Sequence, residues 1–208
     1  MTSVLPPVAA YLEQRAAESG RISETRKREL DSVAQYVQDR ASDGRPARLI
    51  FICTHNSRRS QFGQFWTRTA AAHQGIEGIE AFSGGTEATA FNRRAVDALR
   101  RAGFDIVRTT DEGNPIYEVR HSDSAPGTQA FSKVYDQAPN PSRGFCAVMT
   151  CSRADVNCPV VAGASLRVAI PYEDPGNHDG TAGETRAYDD CCRRISREIV
   201  YFVSRVRV

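Results

Sequence analysis

The sequence predicts an α/β protein with an open, four-stranded parallel sheet and helices on both faces. Short apolar runs recur between residues 48 and 172, and amphipathic segments of helical period separate them. Strands and helices that alternate in this way form parallel sheets, because each crossover helix returns the chain to the same edge of the sheet. A helical extension, residues 1–47, is predicted to precede the α/β domain, residues 48–208.

Each predicted strand is a short apolar run, as expected for strands that are buried on both faces. These strands are RLIFI (48–52), IEAFSGG (79–85), FCAVMT (145–150) and LRVAIPY (166–172). The predicted helices of the domain are SQFGQFWTRTAAAHQ (60–74), FNRRAVDALRRAGF (91–104) and a long C-terminal helix (183–206). In the extension, Ser23 is a typical N-cap residue, and Leu30, Val33 and Val37 follow it at helical spacing.

Residues 109–145 interrupt the alternation of strands and helices. Residues 114–121 and 129–135 alternate apolar and polar positions on either side of SDSAPGT, a turn-like stretch. This pattern predicts a β-hairpin inserted into the α/β domain.

Composition excludes several classes of function. The net charge is +2, and the 27 basic residues, all arginine except Lys27 and Lys133, are interspersed with 25 acidic ones, so no nucleic-acid partner is predicted. No apolar stretch approaches the roughly 20 residues that span a membrane, and the N-terminus lacks the pattern of a secretory signal. These observations predict a soluble cytoplasmic protein without a membrane partner.

The six cysteines are not arranged as a metal site. No Cys-x-x-Cys pair and no His-x-x-x-His pair occurs, and adjacent Cys191 and Cys192 have poor spacing for chelation. In a cytosolic protein, cysteines are more often catalytic, redox-active or buried. No metal ion and no organic cofactor is predicted.

The loop after the first strand has the composition of an anion-binding site. It lies at the carboxyl edge of the predicted sheet, where open α/β folds bind ligands, and a helix is predicted to begin at its end. The positive end of that helix and a serine hydroxyl would stabilise a cysteine thiolate. The planar guanidinium of an arginine would bind two oxygens of an oxyanion held above the thiolate. The loop residues are Cys53, Thr54, His55, Asn56, Ser57, Arg58, Arg59 and Ser60.

Cys53 and Arg59 have the Cys-x5-Arg spacing of cysteine-dependent phosphatases, and Ser60 follows. Together with Asn56 and the early position of the loop, this resembles the low-molecular-weight tyrosine phosphatases and the thioredoxin-coupled arsenate reductases. The resemblance covers residues 48–206 apart from the insertion. It implies that Cys53 is the nucleophile, that Arg59 clamps the oxyanion and that Asn56 braces the loop. His55, where glycine is more usual, and Arg58, where some members have a second cysteine, depart from the pattern.

An Asp-Pro pair late in the chain supplies the general acid in this family. Asp174 and Pro175 stand in the right order, between the fourth strand and the last helix, so the resemblance implies this role for Asp174. His178 and Asp179 follow in a glycine-rich stretch, which predicts a solvated loop.

Two further cysteines distinguish the two branches of the family. Cys151 and Cys158 lie seven residues apart and resemble the redox segment of the arsenate reductases. Residues seven apart lie ~10.5 Å apart along an ideal helix, so a disulfide between them requires the segment to bend or unwind. The alternative is that both are small buried residues without a redox role. Cys146 is predicted to lie in the core, and no role is assigned to Cys191 and Cys192.

The resemblance implies a thiol relay. Cys53 attacks arsenate, Cys151 releases arsenite by forming a Cys53–Cys151 disulfide, and Cys158 moves the disulfide outward for reduction by a thioredoxin-like partner. The alternative function is hydrolysis of phosphotyrosine or a small phosphate monoester through a phosphocysteine. A non-catalytic binding module is the third reading, and intact Cys53, Arg59 and Asp174 disfavour it.

Overall fold

The computed structural model describes residues 4–157 and 160–207. The helices are α1 (Pro6–Ala16), α2 (Glu24–Ser42), α3 (Arg59–Gln74), α4 (Arg93–Arg101), α5 (Ser152–Asn157) and α6 (Glu184–Arg205). The strands are β1 (Ala47–Cys53), β2 (Ile79–Gly85), β3 (Asp105–Arg108), β4 (Tyr117–Arg120), β5 (Thr128–Ala130), β6 (Phe145–Met149) and β7 (Ala164–Ala169). Short 3₁₀ turns cover Ser19–Arg21 and Pro175–His178.

The main sheet has four strands in the order β2-β1-β6-β7, and all its neighbouring pairs are parallel. This confirms the predicted fold class. Cys53, the last residue of β1, pairs with Gly85 at the end of β2, and Ile52 pairs with Met149 at the end of β6. The carboxyl ends of these three strands therefore meet at one edge, where the loops after β1 and β6 lie side by side.

The two faces of this sheet are covered unequally. Helices α1, α2, α3, α4 and α6 contribute to one large apolar cluster, in which Trp66, Phe62 and Tyr188 are fully buried. A smaller cluster on the opposite face contains Ile50 and Ile52. The short helix α5, of six residues, and Tyr135 cover this cluster. Each face uses alternate residues of β1, as the two-residue repeat of a strand requires.

The insertion contributes β4 and β5 to an antiparallel sheet of three strands in the order β3-β4-β5, and β3 lies just before the insertion. Tyr117 of β4 pairs with Ala130 of β5, as the predicted hairpin requires. Two details differ from the sequence analysis. The segment after α4 forms β3 and adds a third strand, and the second hairpin strand ends at Ala130, because the residues after it turn back onto the loop that follows β1.

The N-terminal residues form two helices, α1 and α2, and α2 begins directly after Ser23, as predicted. Ser23 caps α2 by accepting a hydrogen bond from the Arg26 backbone N–H, at 3.3 Å. Leu30, Val33 and Val37 are buried in the large apolar cluster. Both helices pack against α6, so the extension contributes to the core of the domain. None of the helices in the described ranges is long and apolar enough to cross a membrane.

Candidate active site

The loop from Cys53 to Ser60 wraps around the position where β1 gives way to α3. The Cys53 thiol is 3 % exposed, and its Sγ lies 3.1 Å from the Ser60 hydroxyl. Helix α3 begins at Arg59, so its unsatisfied N–H groups and the positive end of its dipole lie at the loop. A thiolate at Cys53 thus has a hydroxyl donor and a helix N-terminus beside it.

Asn56 fixes the shape of this loop. It is fully buried, and among the described residues it is the one non-glycine residue with a positive φ, 46°. Its Nδ2 donates to the Ser60 hydroxyl at 2.8 Å, and its Oδ1 accepts from the Lys133 backbone N–H at 3.0 Å. The side chain therefore stabilises a left-handed backbone conformation and orients the serine that contacts Cys53.

The insertion braces the outer side of the loop. Ser132 donates its hydroxyl to the His55 carbonyl at 2.8 Å, and Gln61 Nε2 bridges the carbonyls of Asn56 and Phe131. Gly85 lies so close that a Cβ there would stand 2.7 Å from the Asn56 nitrogen. The predicted insertion is thus part of the wall that holds the loop.

Arg59 and Asp174 face each other across the site. Arg59 Nη2 donates to Asp174 Oδ2 at 2.6 Å, and Nη1 donates to the Tyr172 carbonyl at 2.9 Å. Asp174 Oδ1 accepts from the Gly176 N–H at 3.0 Å, which caps the short 3₁₀ turn. The buried Arg59 Nε has no hydrogen-bond partner within the described part of the chain. Asp174, the general acid that the resemblance implies, is therefore in direct contact with an arginine of the anion loop.

Arg58 and Asp179 have more specific contacts than the sequence predicted. Arg58 Nε donates to the Tyr188 hydroxyl at 2.8 Å, and that hydroxyl donates to Asp179 Oδ1 at 2.8 Å. Arg58 Nη2 also lies 3.3 Å from Asp179 Oδ2. Burial raises the pKa of Tyr188 to about 12, so its hydroxyl keeps its proton to donate. Asp179 lies in an exposed turn, as the predicted solvated loop requires, and it also connects the Asp174 segment to α6 through Tyr188.

Cys151 is the second thiol at this sheet edge. It is 2 % exposed, and its Sγ lies 3.4 Å from the hydroxyl of Thr54, the residue after Cys53. The Ala154 N–H, at the start of α5, donates to the same sulfur at 3.3 Å. Cys151 is a free thiol in this structure, as is Cys53. Cys158 lies outside the described residues.

The remaining predicted loop residues hold the loop in place. The Ser57 hydroxyl donates to the Ala90 carbonyl at 2.7 Å, and the Thr54 carbonyl accepts from the Glu87 N–H at 2.8 Å. His55 is at the exposed rim, 3.8 Å from the Glu87 carboxylate. Tyr188 was not predicted, since a tyrosine on a distant segment carries no motif of its own.

Comparison with known proteins agrees with this geometry. Residues 48–113 match the profile of the family described as low molecular weight phosphotyrosine protein phosphatase. An arsenate reductase of Bacillus licheniformis is 29% identical over 155 residues, which are 72% of this chain and 92% of that protein. Arsenate reductase 2 of Staphylococcus epidermidis is 27% identical over 127 residues, 61% of this chain and 77% of that protein.

Solved structures share the fold. The low molecular weight protein tyrosine phosphatase of T. tengcongensis superimposes with a TM-score of 0.53 at 18% identity, over 77% of this chain and 99% of that one. A low molecular weight phosphotyrosine phosphatase of Vibrio cholerae gives 0.52 at 12% identity, over 76% and 95%. The chain is therefore similar in sequence to arsenate reductases and, over residues 48–113, to the low molecular weight phosphotyrosine protein phosphatase family, and it shares the fold of phosphatases of that family.

Proposed function

We propose that this cysteine-based oxyanion enzyme reduces arsenate to arsenite through a relay of Cys53, Cys151 and Cys158. One observation supports this choice above the rest: a second buried thiol, Cys151, contacts Thr54 immediately beside the proposed nucleophile. A phosphatase needs one thiol, whereas a reductase needs a second thiol near the first. The kinship with arsenate reductases supports the same choice.

The first step forms a bond from the Cys53 sulfur to arsenic(V), and an arsenate oxygen leaves as water after protonation. Arg59 would contact the bound oxyanion with its guanidinium, and Asp174 would supply the proton to the departing oxygen. Both side chains lie at the loop, and their ion pair must open to admit the oxyanion. The unpartnered Arg59 Nε is a donor available to it.

The second step transfers two electrons. The Cys151 thiolate attacks the Cys53 sulfur, the sulfur–arsenic bond breaks, and its electron pair leaves with arsenic as arsenite. A Cys53–Cys151 disulfide results. The Cys158 thiolate then attacks Cys151, which frees Cys53 and forms a Cys151–Cys158 disulfide. A thioredoxin-like dithiol reduces that disulfide by exchange and is itself oxidised.

The alternative is hydrolysis of phosphotyrosine or a small phosphate monoester. It uses the same Cys53, Arg59 and Asp174, and the Asp174 carboxyl at the loop is the observation that favours it. In that reaction Cys53 takes the phosphoryl group, Asp174 protonates the leaving oxygen, and water then releases phosphate.

A parallel assay separates the two reactions. The protein is incubated with arsenate, thioredoxin, thioredoxin reductase and NADPH, and NADPH consumption is followed, while para-nitrophenyl phosphate is tested separately. We expect arsenate-dependent NADPH consumption that Cys53→Ser, Cys151→Ser and Cys158→Ser each abolish. Phosphatase turnover without arsenate reduction would establish the alternative.

Cys146→Ala is the matched control, because Cys146 is a buried thiol of β6 that is remote from the loop. It should keep most of the arsenate activity. Arsenate turnover that survives Cys158→Ser would overturn the relay, and turnover that survives Cys53→Ser would overturn the whole site.

A further inference from the structure

A side chain of the N-terminal extension reaches the segment that carries Asp174. Arg26, in the first turn of α2, donates from Nη2 to the Pro171 carbonyl at 2.9 Å. Its guanidinium carbon also lies 5.5 Å from the centre of the Tyr172 ring, within the range of a cation–π contact. Arg26 therefore contacts two consecutive residues that lie just before Asp174.

A buried carboxylate on α6 completes this contact. Glu198 is 4 % exposed, and its Oε2 accepts from the Tyr172 hydroxyl at 2.8 Å and lies 3.4 Å from Arg26 Nε. Burial raises the pKa of Glu198, and Arg26 opposes this by stabilising the charged form. Without Arg26, Glu198 would be a buried carboxylate with its nearest cation removed.

Tyr172 links this cluster to the anion loop. Its side chain is held by Arg26 and Glu198, while its carbonyl accepts the 2.9 Å hydrogen bond from Arg59 Nη1. Two residues later, Asp174 accepts from Arg59 Nη2. A shift of the Tyr172 backbone would therefore move the acceptor of Arg59 and the Asp174 carboxyl together.

We propose that Arg26 is a positioning residue of the active site, which fixes the segment from Pro171 to Asp174 through Glu198 and the Tyr172 ring. It touches neither the oxyanion nor the reacting thiols, and it acts by holding Asp174 where a leaving oxygen is protonated. The extension thereby supports catalysis from outside the α/β domain. This inference rests on the proposed function, since it takes Asp174 as the general acid.

Two neighbours show that the contact is specific. Arg28 lies on the same helix but is exposed. Within the described residues, its side chain donates a hydrogen bond to Thr25 and to no other residue. Lys27 pairs with Glu24, one turn away on the same helix. Of these three consecutive basic residues, Arg26 has the side chain directed at the Asp174 segment.

Hydrogen exchange tests the positioning without any assumption about the reaction. In Arg26→Ala, the backbone amides of Tyr172, Gly176 and Asn177, which donate hydrogen bonds in this segment, should exchange about tenfold faster, because local opening of the segment becomes easier. The amides of β1 and of the central part of α6 should be unchanged. Arg28→Ala is the matched control and should match the wild-type protein throughout. Arg26→Lys keeps the charge and should recover part of the protection.

Kinetics then test the consequence for catalysis. Phenyl phosphate has a poorer leaving group than para-nitrophenyl phosphate, so it depends more on a general acid. Arg26→Ala should lower kcat for phenyl phosphate about tenfold and for para-nitrophenyl phosphate only about twofold, since a positioned acid contributes roughly 10²–10⁴-fold. Protection of Cys53 from iodoacetamide by inorganic phosphate should stay within about threefold of wild type.

The outcomes distinguish this inference from the proposed function. Unchanged exchange in residues 172–177 would overturn the positioning role of Arg26, whatever the activity. The wild-type protein could instead prove unable either to reduce arsenate or to cleave phosphate esters, which would overturn the proposed function. Faster exchange in Arg26→Ala would in that case still support the positioning role of Arg26. Equal loss on both esters, together with lost phosphate protection, would indicate collapse of the site and refute specific positioning of Asp174. If Arg26→Ala does not fold, Arg26→Gln replaces it in both measurements.

Discussion

Lys133 is a buried cation whose removal should stabilise the protein. Its side chain follows β5, is 5 % exposed, and has its Nζ 5.0 Å from the centre of the Phe131 ring. No carboxylate in the described chain pairs with it. Desolvation by burial lowers the pKa of Lys133 from 10.5 to about 8. We therefore expect Lys133→Met, which keeps the length of the side chain, to raise the free energy of unfolding.

The pKa change sets the size and the pH range of this effect. At about 1.4 kcal/mol per pH unit, lowering the pKa from 10.5 to about 8 corresponds to a cost of roughly 3 kcal/mol for the charged form. The contact with Phe131 offsets about 1 kcal/mol, which leaves a gain of about 2 kcal/mol at pH 7. Between about pH 8 and 10.5 the folded protein binds fewer protons than the unfolded chain. The stability of the wild-type protein should therefore rise across this interval and approach that of the variant.

Urea unfolding followed by fluorescence measures this difference, since Trp66 is the single tryptophan and is fully buried. The wild-type protein and Lys133→Met are compared at intervals from pH 7 to pH 10.5. The only other lysine, Lys27, lies on α2 beside Glu24, and Lys27→Met is the matched control. It should leave the stability close to that of the wild-type protein, because substitutions on the solvated surface have small effects. A Lys133→Met variant less stable than wild type at pH 7, or a gain that does not shrink with pH, would contradict a desolvation cost at Lys133.

Three further substitutions test the loop and its supports. Asn56→Ala removes two buried hydrogen bonds at a residue with left-handed backbone, so it should lower the free energy of unfolding by about 2–4 kcal/mol and reduce turnover more than tenfold. Urea unfolding and arsenate turnover measure these two effects. Full activity would contradict the bracing role of Asn56. Gly63→Ala places a Cβ 2.3 Å from Phe51 Cδ1, and we expect a loss of about 1–3 kcal/mol in thermal unfolding. Ser23→Ala removes the α2 cap and should cost about 1 kcal/mol, with Ser32→Ala, elsewhere on the exposed surface of α2, as its control.

The sequence indicated the fold through local patterns that each strand and helix carries by itself. The apolar run before Cys53 predicted a buried parallel strand because such strands need no polar face, and Ser23 predicted the start of α2 because its hydroxyl can satisfy a free N–H group. The Cys-x5-Arg spacing predicted the anion loop because all its atoms belong to one strand–loop–helix unit, so sequence distance there is close to spatial distance.

Contacts between distant segments were decided by the tertiary structure alone. Arg58 meets Tyr188, and Arg26 meets Pro171, across separations of 130 and 145 residues. The type of a residue and its spacing from its sequence neighbours do not indicate which distant carbonyl or hydroxyl its side chain will contact. The choice of partner depends on how five helices pack on one face of the sheet. The end of β5 at Ala130 has the same origin: the next residues hydrogen-bond to His55 and Asn56, and these contacts outweigh the alternating pattern that predicted a longer strand.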